Sequence, residues 1–112
     1  MKKIGGNVTA LIQVRESTKN EIGERVIEWV TVQSIKGFLD FLSGESTRSN
    51  YKSRIEESTH VFICDYVHMN SRITDENSRL LIGDKAYEVK MIDDPIGLHY
   101  QLEFSLKYTG GE

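Results

Sequence analysis

His60, Cys64 and His68 recur every four residues in THVFICDYVH, and all three are metal-ligand types. On a helix that spacing lines one face, and zinc sits about 2 Å from each of its ligands. The segment is rich in Val, Ile and Phe, however, and reads as a strand, where four residues rise about 13 Å at roughly 3.3 Å each. Without a fold-back the three cannot share an ion, and a buried thiol with two edge histidines is the simpler reading. A nucleophilic Cys-His pair needs an orienting partner, and the β-rich run around Cys64 implies none. Asp93-Asp94-Pro95 has the form of paired carboxylates, but Asp is a turn former and Pro95 breaks a ladder, so it reads as a turn. Glu56-Glu57 reads as a solvated face. No G-x-G-x-x-G, P-loop or nucleophile elbow occurs, and Gly5-Gly6 lacks the preceding strand that a phosphate loop needs. Neither catalysis nor a cofactor or metal is expected.

Stepping outward from those side chains, 112 residues bound one domain with one modest core. Net charge is −3, which lacks the basic stripe that tight nucleic-acid binding requires. A mildly acidic wall still lets a polyanion pass without sticking. The single cysteine forms no internal disulfide and fits a reducing cytoplasm. No apolar run approaches the ~18 residues of a membrane span. The opening MKKIGGNVTALI is interrupted by Gly5, Gly6, Asn7 and Thr9, so no signal peptide is expected.

The clearest local structure is RLLIGDKAYEVKMIDD, residues 79–94. An apolar run, a turn at Gly83-Asp84-Lys85, a second strand and a stop before Pro95 read as a β-hairpin. A lone hairpin is marginal and needs partners. Residues 8–15 alternate as a half-buried strand, and residues 25–33 form a second, Val- and Trp-bearing strand after a polar loop over 16–24. Residues 34–42 fit helix or strand spacing; the reading adopted is a strand continuing through a bend at Gly37. Residues 59–67 are apolar on both faces, as in a central strand. Residues 68–78 form a polar connection in which Ile73-Thr74-Asp75 is a short extended piece. Residues 99–108 alternate without fault, with Tyr100, Leu102, Phe104, Leu106 and Tyr108 on one face. Residues 1–7 read as a flexible arm and 109–112 as a free tail. The expectation is a mainly β fold, a small closed β-barrel of about six strands with one short inserted α-helix.

That helix belongs to residues 43–58, SGESTRSNYKSRIEES. Tyr51 and Ile55 are four apart, which suggests a short helix over 49–57. A polar stretch this long inside a compact β domain is more often functional than a mere connector. Arg48, Lys52 and Arg54 form a basic patch that is either a solvated helix face or a contact with a passing polyanion. Tyr51 has no apolar run to hide in and is a candidate interface residue. Trp29 has two readings, a core or rim aromatic and an interface anchor.

In this order the pieces resemble a known family. The turn-strand G-D-x-x-Y-E-V (Gly83 to Val89) and the upstream G-E-x-x-x-x-W (Gly23 to Trp29) carry most of the likeness, which runs over residues 8–108. The chain resembles the tailed-phage head–tail joining proteins, also called head-closure or stopper proteins. The resemblance implies a small β-barrel with an inserted helix. It also implies a ring, typically twelvefold, that self-associates on the connector beneath the portal and adaptor proteins. Such a ring retains packaged DNA, meets a tail-completion protein and resides in the virion, after synthesis in the bacterial cytoplasm. The channel or gate loop would map to Gly44, Glu45, Ser46, Thr47, Arg48, Ser49, Asn50, Tyr51, Lys52 and Arg54. An alternative is a free β-barrel module that binds a protein or peptide without ring assembly.

Overall fold

A computed structural model of the chain describes residues 6, 8–41 and 58–111. Six strands account for most of them: β1 (Val8–Lys19), β2 (Arg25–Phe41), β3 (His60–Asp65), β4 (Ser78–Ile82), β5 (Lys85–Asp93) and β6 (Gln101–Gly111). All neighbours are antiparallel, and the order β1-β2-β3-β6-β5-β4 closes into a barrel when β4 pairs back onto β1. The closing ladder is short, running from Leu11↔Leu81 to Val14↔Ser78. Among the described residues there is no α-helix, only a 3-10 turn at Pro95–Gly97. The helix expected over 49–57 lies outside the described residues. No helix among them is long and apolar enough to cross a membrane.

The interior follows from alternation. Ile12, Phe62, Leu80, Phe104 and Leu106 are fully buried and meet inside the barrel, one from β1, β3 and β4 and two from β6. Phe62 and Phe104 pack edge to face at 6.2 Å. Each such side chain contributes about 1.5–3 kcal/mol by leaving water. Gly37 is buried where β2 begins to pair with β3, and a Cβ there would lie 2.2 Å from the Ile63 carbonyl oxygen. Only glycine lets the two backbones approach so closely. The Gly83-Asp84 turn joins β4 to β5, with Gly83 at φ 62, a conformation that costs glycine little.

β1 is longer than its apolar pattern suggests, and β2 continues through Gly37 as one strand. β1 continues through Lys19, and the polar loop expected over 16–24 shrinks to a tip at residues 20–24. β2 is one strand of 17 residues, long enough to reach along most of the molecule's 51 Å axis. It pairs with β3 only from Gly37 to Phe41, so β1 and β2 run on beyond the barrel as a two-stranded ribbon. A bulge separates the two regimes: Ile12 faces Gln33 but Gln13 faces Thr31, leaving Val32 as the extra residue.

Three further expectations are corrected. Residues 109–111 are not a tail: Gly110 and Gly111 pair with Ala86 and Lys85, and the Thr109 hydroxyl donates to the Ala86 carbonyl at 3.0 Å. Ladder bonds to β5 hold this stretch without apolar side chains, which is why its composition hid it. β6 starts at Gln101 because His99 sits at φ 60 in the preceding loop. Ile73-Thr74-Asp75 is not extended but part of a turn-rich loop, where the Asn77 side chain accepts from the Thr74 N–H and donates to the Arg72 carbonyl.

Candidate functional site

The ribbon carries exposed large apolar side chains at its tip and along its length. Asn20 builds its tip: one carboxamide oxygen accepts from the N–H groups of Ile22 (3.1 Å) and Glu24 (2.8 Å), and its own N–H donates to the Glu24 carbonyl. This is the side-chain-for-backbone substitution that suits Asn to turns. It holds Ile22 in solvent at 78 % exposure, with Ile27 at 61 % on the strand behind it. Apolar side chains presented singly are ordinary; two at the end of a rigid projection form a surface suited to a partner.

Trp29 stands at the base of the ribbon. It is a rim residue on the outer wall, 36 % exposed, with the Arg79 guanidinium 4.5 Å from its ring centroid and that of Arg15 at 6.0 Å. Gln13 fixes this arrangement: its oxygen accepts from Arg79 Nε at 2.8 Å and its nitrogen donates to the Thr31 hydroxyl at 2.9 Å. Arg15, Trp29, Glu76, Ser78, Arg79, Glu88 and Thr109 line a cleft there. The arrangement stacks cations on an indole, a common composition at binding hot spots.

A second distinctive region lies at the opposite end of β2, around Phe41. His60 is ringed there by Phe41 at 5.3 Å, Tyr87 at 5.1 Å and Tyr108 at 6.4 Å. Its Nδ1 lies 2.8 Å from the Thr59 hydroxyl, which also accepts the Tyr108 N–H. Desolvation by these neighbours lowers the His60 pKa. Cys64, four residues further along β3, is buried; desolvation, with help from the Asp65 charge, pushes its thiol up to about 11. His68 lies outside β3, beside the ribbon's base, where its carbonyl accepts from Gln33 Nε2 at 3.1 Å. The strand thus separates the three spaced side chains, and among the described residues no group of three His, Cys, Asp or Glu is placed to hold a metal ion.

Asp94 forms a turn with His99 rather than an acid–base pair with Asp93. Its carboxylate accepts the His99 N–H at 3.0 Å and contacts His99 Nδ1. The channel-loop candidates, Gly44 through Lys52 and Arg54 and including Tyr51, lie outside the described residues, as do Glu56 and Glu57. Sequence reasoning missed the ribbon with Ile22 and Ile27, and the aromatic mouth around His60. The ribbon's signal was its charges, alternating in RESTK (15–19) and returning in RVIE (25–28) with no apolar period to bury.

The family model for the phage head completion protein matches residues 5–107. No curated protein sequence matches the chain. The solution structure of protein SF1141 from Shigella flexneri 2a is similar, with a TM-score of 0.70 and 14% identity over 96% of each chain. At that identity the likeness concerns the fold.

Proposed function

We infer the protein's role from the fact that the chain belongs to the phage head completion protein family. The family is a structural one, which gives this chain a role in the phage head, a place in the virion and other phage head or tail proteins as partners. Our reading is more specific. The protein is a single-domain component of the head–tail connector that forms a ring, with twelve copies the expected number, beneath the portal and adaptor proteins. Through that ring it helps retain packaged DNA and docks the tail. The match of the family model over nearly the whole chain is the observation that carries this reading.

The geometry is compatible with it. β2 runs from the ribbon into the barrel, so the ribbon and the aromatic mouth around His60 and Phe41 lie toward opposite ends of one strand, and one copy can engage two layers at once. The mild net negative charge suits a wall past which DNA must move. Mechanism here is assembly without turnover: weak contacts per copy sum around a closed ring.

The test is electron microscopy of lysates from the source phage, or the induced prophage, with this gene disrupted. Heads that have lost DNA beside free, finished tails are the expected result. Joined and infectious virions in that lysate would overturn the reading.

A further inference from the structure

The ribbon sorts its charges by face. Side chains alternate across a strand, and the register places Lys19 opposite Arg25, Ser17 opposite Ile27, Thr18 opposite Val26 and Glu16 opposite Glu28. One face therefore carries Ser17, Lys19, Arg25 and Ile27, with both charges positive. The other carries Glu16, Thr18, Val26 and Glu28, with both charges negative. Two like-charge pairs stand directly across the ladder, an arrangement that weakens a hairpin. The acidic pair is met by the ion pair from Arg72 to Glu16. Arg25 is held along its own face by donating to the Ser17 hydroxyl at 2.8 Å. Sequences break local rules of this kind where another requirement outweighs them.

Opposite charges on opposite faces of one element complement each other between copies. We propose that the ribbon is the contact between neighbouring copies: the basic face with Ile27 of one chain packs on the acidic face with Val26 and Glu28 of the next. Different patches meeting head to tail form a heterologous contact, the kind that closes into rings. A two-fold dimer through either face would instead oppose like charges. Ile27, 61 % exposed, supplies apolar area on the basic face, and half-buried Val26 supplies its counterpart. The inference rests on the ring reading above and names the surface that makes the ring.

The experiment supplies variants from a plasmid to the gene-disrupted phage and counts joined particles. One variant reverses the basic face (Lys19→Glu with Arg25→Glu), another reverses the acidic face (Thr18→Lys with Glu28→Lys), and a third carries all four changes. These positions are exposed. Each single-face reversal should lower the yield of joined particles by about tenfold or more, because like charges then meet at every contact. The four-fold variant restores complementarity and should recover most of the yield. A photo-cross-linking residue at Ile27, in otherwise native protein, should capture the face bearing Val26 and Glu28 of another copy. Single-face reversals that behave as wild type overturn the proposal, as does a four-fold variant that melts normally yet joins no better than the singles. Cross-linking of Ile27 to a different protein also overturns it. If the gene proves dispensable for joining, the ring reading itself fails, an outcome the disruption alone reports.

Discussion

β2 passes through two environments, and the contrast between them explains most of the molecule. From Gln33 to Phe41 it belongs to the barrel, paired with β1 as far as Gly37 and with β3 from Gly37 on, and its Ile35 and Leu39 turn toward a core of Phe62, Phe104 and Leu106. From Arg25 to Val30 its only strand partner is β1, and Ile27 and Trp29 are exposed. The barrel is held by burial, which is non-directional and large. The ribbon is held by ladder bonds, the Asn20 turn and the Gln13 links to Thr31 and Arg79. Stability therefore resides in the first region, and freedom to carry unfavourable surface chemistry in the second.

Substitutions should separate the two. Phe104→Ala removes a fully buried ring and leaves a cavity between β3 and β5, so a loss of about 3–5 kcal/mol in denaturant unfolding is expected. A loss under 1 kcal/mol would mean that the barrel is not where stability lies. Alkaline titration probes the same region more gently. The Cys64 thiol, raised to about 11 by burial, favours its neutral form in the folded state. Its contribution is complete below the unfolded value near 9 and disappears as pH rises toward 11, on the order of 2–3 kcal/mol. The Tyr87 phenol, also raised by burial, acts in the same direction. Cys64→Ala should shrink the alkaline loss measured by urea unfolding between pH 8 and 11. At the ribbon the effects on folding should be least: Asn20→Ala near 1 kcal/mol through loss of its turn bonds, and Ile22→Ser within about 0.5 kcal/mol. A cooperative loss of several kcal/mol on Ile22→Ser would show that the tip packs against the barrel.

The same contrast set what the sequence could reveal. Alternation in residues 8–15 and 99–108, the Gly83-Asp84 turn and the stop at Pro95 all report on the barrel, because burial imposes a period on residue type. Ala10, Ile12 and Val14 are buried as that period requires, and so are Leu102, Phe104 and Leu106. Tyr108 belongs to the same stripe but sits 41 % exposed, since the strand outruns the core at that end, and Tyr100, 52 % exposed, lies in the loop before β6. The ribbon has no core to pattern it, so residues 16–19 read as loop although hydrogen bonding makes them strand. Trp29 stayed ambiguous for a related reason: an indole packed against two arginines on an outer wall is neither core nor free surface. The channel-loop role of residues 44–52 and 54 rests on family likeness, because a polar composition with one four-residue spacing, Tyr51 to Ile55, says little about what the segment meets.

The extra residue at Val32 has a wider consequence. On the barrel side of it, odd-numbered residues of β2 point inward; on the ribbon side, even-numbered ones do. The bulge thus acts as a half-step in the strand's reading frame. Deleting Val32 itself would only make the ladder regular, with Thr31 still opposite Gln13 and Trp29 still opposite Arg15. Deleting a residue of β2 on the ribbon side while the bulge stays would instead turn the outer half of the strand over, carrying Trp29 and Ile27 inward and Glu28 outward without altering any residue of the barrel. Small length changes beside the bulge offer a lineage of such proteins a route to re-key its outward contacts while inheriting the same interior.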